Sequence, residues 1–213
     1  MPTTERLPHA VMNWNVNPDR AVLLVHDMQR YFLDPFPAGR SPLVELLANA
    51  AQLRTRFAEL GIPVVYTAQP GGMSRTERGL LHDVWGPGMN REQREREIVP
   101  EVAPAAGDTV LTKWRYSAFH RTGLVDLLAQ WGRDQLVICG VYAHIGCLVS
   151  ACDAFCFDIE TFLVADAVGD FSRYEHDLAL DYAAGCCAAV LSTEEVFSAV
   201  ARSAAVAGAR YVR

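Results

Sequence analysis

Short apolar runs and longer amphipathic stretches alternate along this chain. The short runs, rich in Val, Leu and Ile, read as buried strands over 21–27, 62–67, 109–113, 135–140, 161–166 and 188–192. Between them the period changes to that of a helix. Leu43, Leu46, Leu47, Ala50, Leu53 and Phe57 are spaced by three and four, and Gly61 ends that stretch. Ser117 is expected to cap a helix ending at Trp131-Gly132, and a further helix is expected from Ile145 to Phe157. Ser172-x-x-Glu175 has the form of a capping box, and Thr193-Glu194-Glu195 caps a final Ala-rich helix. Strands that alternate with helices predict an α/β fold. The expectation is a three-layer α/β/α, Rossmann-like arrangement with a six-stranded parallel sheet.

One stretch breaks the alternation. Residues 70–100 are rich in Gly, Pro and charge, with room only for short helical pieces, and a long excursion of this kind more often covers a substrate than links domains. The mixed charges of 91–97 read as a solvated helix face. No internal repeat or second domain is visible, so residues 1–213 are expected to form a single domain with 1–20 as an N-terminal arm.

Charge narrows the partners. A net charge of −6 and a pI near 5.5 disfavour nucleic acid and anionic membrane. The first residues hold no apolar signal core and no stretch is long enough to span a bilayer, so a cytoplasmic location is expected. Most of the six cysteines are expected to be buried apolar thiols, and no spacing of Cys and His forms a zinc pattern.

Candidate chemistry gathers where the strands end. Asp27 closes the first strand, Lys113 the third, and Val141-Tyr142-Ala143-His144-Ile145-Gly146 follows the fourth. Open parallel sheets place their ligand crevice beyond those ends. His26 precedes Asp27 and is expected on the opposite side of the sheet, in a structural role. Asp166 and Asp170 are read as structural, while His144 has no assigned role.

Several motifs carry a family resemblance. His26-Asp27-Met28-Gln29, Tyr66-Thr67-Ala68-Gln69-Pro70, Trp85-Gly86-Pro87-Gly88, Lys113-Trp114-Arg115-Tyr116-Ser117-Ala118-Phe119 and Gly140-Val141-Tyr142-Ala143-His144-Ile145-Gly146 resemble the isochorismatase family from about Leu7 to Phe197. The resemblance implies hydrolysis of an enolpyruvyl ether, on isochorismate or on 2-amino-2-deoxyisochorismate, with release of pyruvate. It implies no cofactor and no metal. It implies a homodimer, and a non-proline cis bond at Val141-Tyr142. Cysteine hydrolases of the superfamily carry their nucleophile where this chain has Gly146, and a metal motif where it has Gln69-Pro70-Gly71-Gly72. Cys147, one residue on, is rotated by roughly 100° on a helix and is expected to point away from Asp27 and Lys113. A cysteine-dependent amidohydrolase using Cys147 in a shifted register is the alternative. Siderophore isochorismatases often carry a fused aryl-carrier domain, and the end of this chain soon after Phe197 leads to the expectation of a standalone hydrolase.

A vinyl ether must be protonated on its terminal carbon before water adds, so the reaction needs one well-placed general acid. Asp27 is the candidate, with Lys113 orienting it and holding substrate. Gly146 contributes a backbone N–H at the opening of a helix, suited to an anionic group. Gln69, Arg78, Trp85, Tyr116, Tyr142 and Phe32 are the candidate substrate-binding residues. Each has a plainer reading: Asp27 and Lys113 as a structural pair, Gln69 as a loop residue, Arg78 on the surface, Trp85 as an anchor of the excursion, Gly146 as close packing and the tyrosines as core.

Overall fold

The apolar runs pair into one parallel sheet because the central ones are buried on both faces and so need neighbours on both edges and helices above and below, while the half-exposed run at 109–112 takes an edge. In the computed structural model, which describes Met1 and residues 7–210 with side chains as far as Ser203, six strands form this sheet. They are β1 (Ala21–His26), β2 (Val64–Ala68), β3 (Thr109–Thr112), β4 (Gln135–Val141), β5 (Glu160–Gly169) and β6 (Ala189–Leu191). Their order is β3-β2-β1-β4-β5-β6. The chain therefore reverses direction across the sheet between β1 and β4, and a crevice opens there beyond their C-terminal ends.

Nine α-helices are described: α1 (Arg30–Leu33), α2 (Leu43–Glu59), α3 (Arg75–Arg78), α4 (Leu81–Trp85), α5 (Gln93–Arg96), α6 (Leu124–Gln130), α7 (Leu148–Cys156), α8 (Arg173–Cys186) and α9 (Thr193–Arg210). Alternate residues of each central strand enter separate cores. Leu23, Val25, Val137, Cys139, Phe162 and Val164 pack under α2 and α9. Val22, Leu24, Leu136, Ile138 and Leu163 pack under α6, α7 and α8. The helix α2 buries Leu46, Ala50, Leu53 and Phe57, the stripe its spacing predicts. Each of the three larger side chains gains on the order of 2 kcal/mol by leaving water. The positive φ of Gly61 turns the chain out of α2, and Ile62 N–H then bonds the Phe57 carbonyl at 2.9 Å.

Four element boundaries differ from expectation, the simplest being β5, which runs on to Gly169 past the expected end at Asp166. Ser117 caps no helix; its hydroxyl accepts from Phe119 N–H within a turn, and α6 begins only after Gly123, because Arg121 adopts a positive φ that interrupts any helix. The residue after β4 opens a π-helical turn, Ala143–Cys147, and α7 follows it at Leu148. The cap of α9 is Ser192, which exchanges hydrogen bonds with Glu195, while Thr193 bonds Asp166. Asp166 thus ties β5 to α9, the structural role expected of it.

Residues 2–6, part of the expected N-terminal arm, lie outside the described residues. Further along, Trp14 packs 6.5 Å from both Phe155 and Phe162. Cys139, Cys147 and Cys187 are buried, but Cys156 and Cys186 are exposed, so the expectation of mostly buried thiols holds for only part of the set. No helix among the described residues is long and apolar enough to cross a membrane.

Candidate active site at the β1–β4 crevice

Asp27 leaves β1 with φ +50°, in the left-handed region that a non-glycine residue seldom enters. Strand alternation ends there. The twist brings Asp27 Oδ1 within 4.0 Å of His26 Nδ1, so His26 does not face away from Asp27 as alternation predicted. Both residues border the same cavity.

Asp27 is 3% exposed and Lys113 2% exposed, and Lys113 Nζ lies 2.9 Å from Asp27 Oδ2. Lys113 also donates to the Arg115 carbonyl at 2.7 Å. The Asp27 carboxylate further accepts from Thr67 Oγ1 at 2.6 Å and from Gln69 Nε2 at 3.3 Å. Burial by itself would push its pKa up; the charge of Lys113 and the hydrogen bond from Thr67 outweigh it and hold the carboxyl below its usual range. The unliganded site therefore presents an ionised Asp27. Burial works the other way on His26, pushing the imidazole down to about 4. The ring is neutral at pH 7, and its Nδ1–H donates to the Val141 carbonyl at 2.7 Å.

Gln69 is a fixed part of the site rather than a solvated loop residue. Its side-chain carbonyl accepts from Arg78 Nη1 at 3.1 Å, which aims the amide N–H₂ at Asp27. Arg78 is 6% exposed and donates through Nε to the Gly86 carbonyl. The short helices α3 and α4 thus bring a guanidinium from the excursion into the crevice. Gln29, not singled out from sequence, secures both legs of that excursion. Its side chain accepts from Gln69 N–H at 2.7 Å and donates to the Gln69 carbonyl at 3.0 Å and the Arg96 carbonyl at 2.8 Å.

A cavity of about 600 Å³ joins these groups. Asp27, Lys113, Gly146, Gln69, Arg78, Trp85, Tyr116, Tyr142 and Phe32 all border it, so the crevice gathers every candidate residue. Its apolar wall is a chain of rings: Phe171 lies 4.0 Å from Tyr142 and 6.1 Å from Trp85, and Phe32 is edge-on to Tyr142. Trp85 Nε1 donates to the Tyr116 hydroxyl at 2.8 Å, and the Tyr142 hydroxyl to the Phe32 carbonyl at 2.7 Å. The Val141–Tyr142 bond is cis. Sequence reading missed Thr67, Tyr31 and Phe171. Thr67 stands inside a quoted motif, but a threonine in a buried strand gives no sign of its partner; Phe171 follows a strand that runs beyond its predicted end.

One expectation about the turn after β4 is revised, and His144, which had no assigned role, gains a partner. Gly146 sits inside the π-helical turn, not at the first residue of an α-helix. His144 and Asp170 form a pair: the Asp170 carboxylate accepts from His144 N–H at 2.7 Å and lies 2.8 Å from its Nδ1. Asp170 also takes Phe171 N–H at 2.9 Å, the structural role expected of it. Cys147 is fully buried away from the cavity lining, and burial first, then neighbouring acids, push its thiol well above the usual range. A shifted-register cysteine nucleophile has no access to the site. Among the described residues, no cluster of three His, Cys, Asp or Glu side chains is arranged to hold a metal ion.

Comparison with known proteins agrees with this architecture. The isochorismatase of Bacillus subtilis (strain 168) is 55% identical over 196 residues, covering 92% of this chain and 63% of that protein, so the chain spans less than two thirds of that relative. The phenazine biosynthesis protein PhzD of Pseudomonas fluorescens is 53% identical over 196 residues, covering 92% of this chain and 94% of its own length. The crystal structure of a cysteine hydrolase from Pseudomonas syringae pv. phaseolicola 1448A superposes with a TM-score of 0.78 at 20% identity, over 93% of this chain and 99% of that one, a likeness of fold. A family model described as the isochorismatase domain matches residues 21–195, and with it the chain belongs to the isochorismatase family.

Proposed function

We propose that the protein hydrolyses the enolpyruvyl ether of isochorismate or of 2-amino-2-deoxyisochorismate, releasing pyruvate and a dihydroaromatic diol or amino alcohol. The observation that carries this reading is a lone buried carboxyl, Asp27, 2.9 Å from Lys113 in a cavity that no Cys, Ser or Thr among the described residues lines. The names of the relatives from Bacillus subtilis and Pseudomonas fluorescens support the same substrate class.

Catalysis begins with a change in Asp27. A substrate bearing two carboxylates binds against Lys113 and Arg78 and draws the ammonium away from Asp27. The nearby negative charge and the loss of water raise the Asp27 pKa, and the carboxyl takes up a proton. Asp27 then delivers that proton to the terminal methylene carbon, giving an oxocarbenium ion at the ether carbon. Water adds to that carbon, the hemiketal collapses, and the C–O bond to the ring breaks. Arg78, through Gln69, keeps the acid aimed. Phe171, Tyr142 and Trp85 exclude bulk water and hold the ring.

The chain is further proposed to act in the cytoplasm as a homodimer. Tyr174, Leu178 and Tyr182, exposed on one stripe of α8, support the assembly. A coupled pyruvate assay on the two ethers tests the activity and ranks the substituents. Release from neither substrate, by folded protein, would refute the reading.

A further inference from the structure

Gly146 faces a residue of β1 with no room for a side chain between them. A Cβ built on Gly146 would come within 2.2 Å of His26 Cε1, 2.9 Å of Nε2 and 3.1 Å of Nδ1. The ring has nowhere to swing. It is fully buried, and its Nδ1–H is bound to the Val141 carbonyl at 2.7 Å. A close-packed interior passes such an overlap on to the backbone.

The position matters because of where both residues lie. His26 and Gly146 border the same cavity as Asp27 and Lys113. A side chain at 146 pointing at the substrate would need the volume that the imidazole fills. The neighbours in the turn do not substitute for it: Ile145 borders the cavity but is apolar, and Cys147 is turned into the core beneath α7.

We propose that His26 determines the class of nucleophile at this site: its ring bars any side chain from position 146, so solvent water is what reaches the ether carbon. This rests on the hydrolase reading above and adds the residue that enforces it. The neutral ring acts by volume and by its bond to Val141, not by transferring a proton.

A stability cycle with Gly146→Ala, His26→Ala and the double variant separates this claim from the activity. Gly146→Ala is expected to lower the Tm by roughly 5 °C through overpacking. It is expected to slow pyruvate release about 100-fold by displacing the wall of the site. Adding His26→Ala to Gly146→Ala should restore most of the Tm and raise the rate about tenfold, whereas the same change in the wild type lowers both. Simple additivity of the two Tm changes would overturn the proposal, whatever the activity. If the wild-type protein releases no pyruvate, the hydrolase reading fails and the Tm cycle alone decides the steric claim.

A thiol probe covers the case in which Gly146→Ala does not fold. Iodoacetamide should alkylate position 146, located by peptide mass, in the Gly146→Cys, His26→Val protein. In Gly146→Cys with His26 retained, alkylation there should be at least about tenfold slower, as for a thiol occluded in a packed interior. Equal rates in the two proteins would refute the role of the ring.

Discussion

Thr67 holds Asp27 by two bonds: its hydroxyl donates to Oδ1 at 2.6 Å and accepts the Asp27 backbone N–H at 3.1 Å. The second bond fixes the unusual backbone turn and the first fixes the carboxylate that the turn presents. Thr67→Val keeps the shape and deletes both. It should cost about 1–3 kcal/mol of stability, since a buried donor and acceptor lose their partner. The rate should fall about tenfold as the acid loses its aim. Thermal melting and initial rates check the pair; an unchanged rate would show that Lys113 and Gln69 suffice to orient Asp27.

The resting charge of Asp27 dictates a pH profile. Its pKa lies below the usual carboxylate range, so at neutral pH the acid form is scarce and declines tenfold for each unit of rising pH. Accordingly, log(kcat/KM) should fall with a slope near −1 from pH 6 to 8. A flat profile would mean that Lys113 itself passes the proton to Asp27. Asp27→Asn should lower kcat about a thousandfold. Because it strands the buried Lys113 charge, it should also cost on the order of 3 kcal/mol, so its Tm must be measured beside its rate.

Acid should loosen this fold through His26. Its pKa falls from 6.5 in the unfolded chain to about 4 in the folded one, so between those values the unfolded state binds the extra proton. Stability from this residue is intact above pH 6.5 and is lost as pH falls toward 4, by up to about 3 kcal/mol for a shift of roughly 2.5 units. Asp27 adds a loss of the same sign at lower pH, because its folded pKa is depressed. Urea midpoints at pH 7.5 and 4.5 measure the sum. In His26→Asn the difference between the two midpoints should shrink.

Arg78 is assigned to a substrate carboxylate and to the side chain of Gln69. Arg78→Met should therefore raise KM and lower kcat/KM about 100-fold, a loss typical of a charged hydrogen-bonded contact. Arg78→Lys should recover little, since a point charge does not satisfy Gly86, Gln69 and a carboxylate together. Steady-state kinetics of both variants decide it.

Cys147 is expected to be dispensable. Cys147→Ala should turn over within about twofold of the wild type, its cost appearing as core stability alone. Treatment of the wild type with iodoacetamide should modify exposed Cys156 and Cys186 and leave pyruvate release intact.

Much of this architecture was legible because hydrophobic period reports burial directly. The six strands and the α2 stripe follow from it, and the ends of β1 and β3 carry Asp27 and Lys113 as read. Legibility failed where backbone geometry overrides pattern. Alternation sends His26 away from Asp27; the left-handed turn at Asp27 returns them to one side, and no pattern in the sequence announces that turn. The same holds after β4, where a helical composition hides a π-helical turn. Gln29 and Thr67 were unreadable as site residues for another reason: their roles lie in partners about 40 residues distant in sequence.

Gln29 grips the excursion at both feet, near Gln69 and near Arg96. A cover held in this way behaves as a hoop rather than a hinged flap. Its feet are tied down beside the sheet, and its crown, Leu81 to Trp85, reaches the opposite wall where Trp85 meets Phe171 at 6.1 Å. Arg78, pinned to Gly86 and Gln69, is the strut between that roof and the acid.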